Sequence, residues 1–229
     1  FAEQLRSHGF AVAFLGASTP ADHVATFMAR HRPDAVAISC NLPLFYAGVT
    51  RLADAAHAHG VPVLAGGRSL DGGPDRALRI GADGWAADLE ESVRLLTAWS
   101  QEAPRVAAAP TRLDRSAMAL DAAAPQVGRS AFDDLTRRFP AMGSYDDAQI
   151  ARTREDLVFI VQFIAASRLV DDIEVLTTFL TWLADLLGAR GVPRRALEAG
   201  LESLHSVLLE VDGPAATLCD TGLAHLSAP

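Results

Sequence analysis

The chain has 229 residues, half of them apolar, and a formal net charge of −8 at pH 7. This length suits one or two domains. No apolar run approaches the roughly 20 residues of a membrane-spanning helix, and the acidic balance argues against binding to a phosphate backbone. The two cysteines, Cys40 and Cys219, lie far apart in the sequence and do not suggest a disulfide framework. We therefore expect a reducing, cytoplasmic setting.

The first half of the chain alternates apolar strands with helix-length segments. The runs AVAFL, AVAIS and VPVLA and the shorter segment GADGWAAD predict strands, of which the first is Ala11–Leu15. Uniformly apolar strands that are separated by helices are typical of a parallel sheet covered on both faces. We therefore predict a flavodoxin-like (Rossmann-like) α/β domain over residues 1–102.

The opening segment FAEQLRSHG predicts the second half of a helix that ends at Gly9. In βαβ units, a helix that leads into a strand itself follows a strand. In the flavodoxin-like order 2-1-3-4-5 the first strand is central, and without it two rows of backbone groups would be unpaired. We therefore expect a further strand before Phe1 in the natural chain.

The second half of the chain predicts a helical domain that follows a linker. Residues 103–129 are rich in Ala, Pro, Asp and Arg with no clear period, which favours a linker that holds some helix. In residues 130–229, apolar side chains recur at intervals of three and four. That spacing predicts an all-α helical bundle with short connections.

Small residues dominate the ends of the predicted strands, where ligands of parallel sheets bind. These ends lack the glycine-rich phosphate loops, the GxSxG elbow of hydrolases and the acidic cluster of receiver domains. Small side chains let a bulky ligand approach the backbone, and a few polar groups fix its orientation. The small residues are Gly16, Ala17, Ser18, Ser39, Gly66 and Gly67, and the polar handles are Ser39 and Asn41.

Residues 1 to about 102 resemble the cobalamin-binding domain of methionine synthase, corrinoid carrier proteins and light-sensing transcriptional regulators. The matching segments are FLGASTPADHV, AISCNLP, HGVPVLAGGRSL and GADGWAAD. The resemblance implies that Ser39 contacts the benzimidazole end of the nucleotide tail and that Gly66 and Gly67 allow close packing. It further implies a cofactor crevice lined by Gly16, Ala17, Ser18, Thr19, Ser39, Asn41, Leu42, Gly66, Gly67, Ala87 and Asp88.

The chain departs from the family pattern at two places. The family serine is usually followed two positions later by Leu, but that position holds Asn41 here and Leu42 comes one residue later. The family histidine that ligates cobalt lies in a DxHxxG-like motif, which by resemblance would precede Phe1. His8 and the other histidines of the first helices do not match this motif, so no metal ligand is assigned in this chain.

The resemblance implies a non-enzymatic sensor that binds adenosyl- or methylcobalamin. If the protein is a photoreceptor, it signals through the helical domain to a protein partner or a second copy of the chain. One alternative is a corrinoid carrier for methyl transfer, and another is a cofactor-free dimerisation module. The chain has no basic recognition helix, so we expect neither direct DNA binding nor a membrane partner.

Overall fold

The computed structural model describes residues 1–106 and 112–228. The chain divides into two compact units, Phe1–Thr111 and Arg112–Pro229, and each is considered by itself. Over the described ranges, no helix combines the length and the apolar character that crossing a bilayer requires.

A three-stranded parallel sheet organises the first unit. Its strands are β1 (Val36–Ser39), β2 (Val63–Gly66) and β3 (Gly84–Trp85), in the order β1-β2-β3. The helices are α1 (Ala2–Ser7), α2 (Ala21–His31), α3 (Tyr46–His57), α4 (Pro74–Arg79) and α5 (Leu89–Gln101). The predicted α/β class with parallel strands is confirmed.

The core of this unit surrounds β2, the central strand. Val63, Leu64 and Ala65 are buried, and Leu64 belongs to a cluster with Leu5 of α1 and Leu96 of α5. These side chains place α1 and α5 in one apolar layer with the sheet. Because apolar burial is the main favourable term in folding, this layer fixes where the three strands end.

The predicted strand Ala11–Leu15 is wrong. These residues pair with no described strand, and Phe14 is 71% exposed, although Val12 packs against the cluster around Leu64. A strand needs a neighbour for its backbone N–H and C=O groups. In the order 2-1-3-4-5 that neighbour is the first strand, and no strand of the described ranges occupies its place. Ala37 and Ser39 of β1 are exposed.

The second unit consists of packed helices, which confirms the predicted all-α region. They are α6 (Arg112–Arg138), α7 (Asp147–Val170), α8 (Glu174–Ala189), α9 (Arg194–Val211) and α10 (Gly213–Ser227). A single 3₁₀ segment, Pro140–Ser144, lies between α6 and α7. Two stacked rings, Phe163 of α7 and Phe179 of α8, lie with their centroids 3.8 Å apart.

Helix α6 takes up much of the segment for which the sequence predicts a linker. Residues 103–129 are helical from Arg112 onward, despite Pro125 inside the helix. The buried side chains of this stretch recur at intervals of three and four, and α6 packs along α7. That burial stabilises the helix and outweighs the single N–H that proline lacks. The buried residues are Ala117, Leu120, Ala124 and Val127.

A buried ion pair joins three helices of the second unit. The guanidinium of Arg168 in α7 pairs with the carboxylate of Asp212, and the two side chains are 10% and 11% exposed. Ser116 of α6 donates its hydroxyl to the same carboxylate at 3.3 Å. The other oxygen of Asp212 accepts from the backbone N–H of Ala215 at 3.2 Å and so caps α10.

Candidate functional site

The carboxyl ends of the three strands lie side by side at one edge of the sheet. Ser39 is the register partner of Gly66, and the N–H of Cys40 donates to the carbonyl of Gly66 at 2.8 Å. The N–H of Ala86 donates to the carbonyl of Ala65 at 3.1 Å. We call residues 39–42, 66–69 and 86–88 together the carboxyl edge. It is the location at which parallel sheets bind ligands.

Gly66 and Gly67 are required at the carboxyl edge by the backbone that surrounds them. A Cβ on Gly66 would lie 2.7 Å from the carbonyl oxygen of Ala86. A Cβ on Gly67 would lie 2.5 Å from the carbonyl oxygen of Cys40, and Gly67 has φ of +103°. Contacts this short exclude any side chain. The close approach at these glycines is therefore between the loops of the protein itself.

Hydrogen bonds lock the loop after β1 to the loop after β2. Ser69 donates both its N–H and its hydroxyl to the carbonyl of Cys40, at 3.2 and 2.8 Å. The hydroxyl of Tyr46, a fully buried side chain of α3, donates to the carbonyl of Ser69. The amide oxygen of Asn41 accepts from the N–H of Arg68 at 3.3 Å. Asn41 thus orders the loops, a role that strand-end position alone did not predict.

Sequence reasoning missed Ser69 and Tyr46. Each donates a hydrogen bond to a backbone carbonyl that is more than twenty positions away in the sequence. No local sequence pattern therefore identifies them. Burial raises the pKa of the Tyr46 phenol, which therefore stays a neutral hydrogen-bond donor at pH 7. These two side chains link the loops of the carboxyl edge through hydrogen bonds.

Ser39 is a polar residue of the carboxyl edge whose hydroxyl has no partner among the described residues. Its side chain is exposed. Leu42 and Phe45, which follow it, are each 48% exposed. A hydroxyl beside exposed apolar surface suits a ligand that has a large apolar body and a polar group.

The loop from Gly16 to Thr19 does not follow a strand. Thr19 donates its hydroxyl to the carbonyl of Leu15 at 3.1 Å, which closes the loop on itself. Gly16 has φ of +93° and a Cβ there would meet no atom within 4 Å, while Ser18 is also left-handed at φ of +55°. The hydrogen bonds of the described residues do not join this loop to the carboxyl edge.

Ala87 and Asp88 use their polar groups to begin α5. The carboxylate of Asp88 accepts from the N–H of Glu91 at 2.9 Å, and the N–H of Ala87 donates to the Glu91 carboxylate at 3.1 Å. This exchange resembles a capping box, in which both partners satisfy open helix N–H groups. Both residues lie at the carboxyl edge, but their capping bonds occupy them.

Cys40 is a buried thiol. Its Sγ donates to the carbonyl of Leu42 at 3.4 Å, and burial raises the pKa of this thiol. A raised pKa keeps it protonated at neutral pH, whereas metals bind the thiolate. In the described ranges no three His, Cys, Asp or Glu side chains group together as a metal site would require.

The residues of the carboxyl edge fit the apolar and nucleotide parts of a corrinoid better than they fit its cobalt. Apolar side chains that are exposed near the strand ends offer surface for a broad ring, and the Ser39 hydroxyl offers a hydrogen bond. Gly66 and Gly67 fit indirectly, because they keep the loops closely packed. The exposed apolar residues are Leu42, at the carboxyl edge, and Phe45, which follows it.

Comparison with known families agrees with this fit. A family model described as the B12 binding domain matches residues 1–94. The match covers the three strands and ends within α5, so it includes none of the helical unit. No curated protein matches the chain.

Proposed function

We propose that this chain, whose residues 1–94 match the family model of the B12 binding domain, is a non-enzymatic cobalamin sensor of the cytoplasm. The observation that carries the proposal is the exposed, unpartnered hydroxyl of Ser39 at the carboxyl edge, next to exposed Leu42 and Phe45. This pairing of one polar handle with apolar surface is what an orienting cofactor site needs.

The proposal gives each group at the carboxyl edge a separate task. Ser39 donates to or accepts from the nucleotide tail, and Leu42 with Phe45 covers an apolar part of the corrinoid. Gly66 and Gly67 let the loops pack closely, because without a Cβ their backbone fits against Ala86 and Cys40. Asn41 keeps the loop after β1 in place through Arg68. In this proposal the loop from Gly16 to Thr19 lines the same cofactor crevice.

We propose adenosyl- or methylcobalamin as the cofactor and light as the signal. When bound, such a cofactor supplies a cobalt–carbon bond that light cleaves. The helical unit is the output element in this proposal, and its partner is another protein or a second copy of the chain. The net charge of −8 supports a protein partner over direct contact with DNA.

The light proposal predicts a change of assembly on illumination. The full chain is loaded with methylcobalamin in the dark, and its mass is measured by light scattering before and after exposure. We expect a mass change of about twofold, because the dimer is the commonest closed assembly. A bleached cofactor with unchanged mass and unchanged partner affinity contradicts the sensor. Turnover of methylcobalamin with a reductant and a methyl donor supports the carrier instead.

The assignment of Ser39 predicts the effect of Ser39→Leu. Leu removes the hydroxyl and fills space at the strand end, so we expect cobalamin affinity to fall at least about tenfold. Equilibrium dialysis measures this affinity directly. Ser100→Leu is the matched control, because Ser100 is an exposed residue near the end of α5 and away from the carboxyl edge.

Two results separate the possible roles of Ser39. Unchanged affinity in Ser39→Leu, with the control also unchanged, removes Ser39 from the site. Ser39→Ala distinguishes the hydroxyl from the space, since alanine removes only the oxygen. We expect Ser39→Ala to lose less affinity than Ser39→Leu.

A further inference from the structure

The helical unit contains a cavity of about 350 Å³ among α6, α7, α8 and α9. A dry cavity of roughly 150 Å³ holds benzene, so this one holds a molecule on the order of a dozen non-hydrogen atoms. Its volume also lies within the range of about 300–1,000 Å³ that is typical of small-molecule sites. The matched B12 binding domain ends before this unit begins, so the cavity belongs to no site described above.

The cavity changes from polar to apolar along one face of α7. The six residues of α7 that line it are spaced at three and four, so they form a single stripe on the helix. The first four members of the stripe are polar and the last two are apolar. From the N-terminal end they are Gln149, Arg152, Thr153, Asp156, Leu157 and Ile160.

The apolar end of the cavity is enclosed. Leu157 and Ile160 of α7, Leu183 of α8 and Leu197 of α9 are all buried. Gly200 of α9 adds room there, because a Cβ at this position would touch only Leu157, at 3.5 Å. The enclosed part therefore accepts a hydrocarbon or aromatic body and offers it no hydrogen bond.

Two arginines with exposed side chains, Arg152 and Arg190, stand at the exposed end of the cavity. Neither forms an ion pair or side-chain hydrogen bond with another described residue. Gln149 and Thr153 are already engaged, because Gln149 caps α7 at Asp146 and Thr153 donates to the carbonyl of Gln149. Both guanidinium groups can bind a ligand carboxylate, although the charge of Arg190 also acts on Asp156.

Among the described residues that line the cavity, Asp156 is the single carboxylate, and its charge does not cancel those of both arginines. Burial raises the pKa of Asp156, while the charge of Arg190 opposes that shift. With two guanidinium groups against one carboxylate, the lining carries a net positive charge. A ligand anion near Arg152 gains attraction, whereas a ligand cation there meets repulsion.

We propose that this cavity binds an amphipathic carboxylate whose apolar body has on the order of a dozen atoms. The body occupies the enclosed end beside Leu157 and Ile160, and the carboxylate pairs with Arg152 and Arg190 at the exposed end. Arginine suits this role because its planar fork matches a carboxylate with two parallel hydrogen bonds. The proposal does not depend on cobalamin binding by the other unit.

Calorimetric titration of the full chain with decanoate tests the proposal, and decylammonium and decanol serve as matched probes. We expect decanoate to bind at least about tenfold more tightly than either probe. Arg152→Gln and Arg190→Gln each weaken decanoate binding by about tenfold. Arg129→Gln is the control, since Arg129 is an exposed arginine of α6 that does not line the cavity. It leaves decanoate binding unchanged.

A cavity-filling variant locates the bound probe. Ala196→Phe places a ring into the lining at the start of α9, and we expect it to abolish decanoate binding while helical circular dichroism is retained. The arginine substitutions are at exposed side chains and provide the test if Ala196→Phe does not fold. Equal or tighter binding of decylammonium, absence of decanoate binding, or insensitivity to both arginine substitutions overturns the proposal.

Discussion

Gly67→Ala is expected to lower the free energy of unfolding of the sheet unit by about 3–5 kcal/mol. Gly67 has φ of +103° and ψ of 162°, a region that only glycine occupies readily. The added Cβ would also lie 2.5 Å from the carbonyl oxygen and 2.8 Å from the backbone nitrogen of Cys40. Backbone atoms held by two hydrogen bonds from Ser69 cannot yield cheaply.

Gly73→Ala separates backbone strain from collision. Gly73 has nearly the same backbone angles, with φ of 104° and ψ of −175°, but a Cβ there would meet no atom within 4 Å. We expect Gly73→Ala to lower the free energy of unfolding only by the backbone strain, about 1–3 kcal/mol. Urea unfolding in a Trp182→Phe background measures both variants, since Trp85 and Trp99 then report on the sheet unit alone. Equal losses in the two variants contradict the close approach at Cys40.

Asp212→Ala is expected to destabilise the helical unit by about 3–5 kcal/mol. The substitution leaves the buried guanidinium of Arg168 without its carboxylate, and a buried, uncompensated charge is costly. It also removes the cap at Ala215, which typically contributes about 1 kcal/mol. Urea unfolding followed by circular dichroism gives the loss, and hydrogen exchange of α10 locates it in this unit.

Two further variants divide the effect of Asp212. Asp212→Asn keeps an oxygen for the helix cap but removes the charge. The stability that this variant loses therefore measures the ion pair without the cap. Glu202→Ala is the surface control, because Glu202 pairs with an Arg195 side chain that is 59% exposed. Exposed pairs contribute about 0–1 kcal/mol. A loss in Asp212→Ala no larger than in Glu202→Ala contradicts a structural role for the buried pair.

The sequence pattern predicted the strands that have neighbours and failed for the one that does not. The runs at Val36–Ser39 and Val63–Gly66 are buried or paired as expected, because their partners follow within the described chain. The segment Ala11–Leu15 has the same apolar character but no partner, and Phe14 stays exposed. Alternating or continuous apolar residues indicate the ability to pair, whereas pairing also depends on a second strand.

The sequence of helix α6 has a helical spacing of apolar residues that is hard to recognise from its composition. Ala117, Leu120, Ala124 and Val127 have helical spacing, but alanine is weakly apolar and Pro125 interrupts the stretch. A proline inside a helix usually marks a boundary. Here the packing of α6 along α7 outweighs that penalty, and such packing is not readable from the local sequence.

The candidate site was predictable in residue type and less so in role. Glycine at positions 66 and 67 predicted close approach of a ligand, whereas the structure shows close approach of the protein's own backbone at Cys40 and Ala86, which come from other loops. Asp88 followed three residues later by Glu91 is a capping signature that the sequence already contained. The cavity of the helical unit was beyond prediction, because four separate helices line it.

Gel filtration of the full chain after dark incubation with methylcobalamin tests the central claim most directly. Visible absorbance of the protein peak reports the bound corrinoid. The account predicts that the cofactor elutes with the protein at about one molecule per chain and that Ser39→Leu abolishes this co-elution. A colourless protein peak, with all the corrinoid in the small-molecule fraction, would contradict it and favour a dimerisation module without a cofactor.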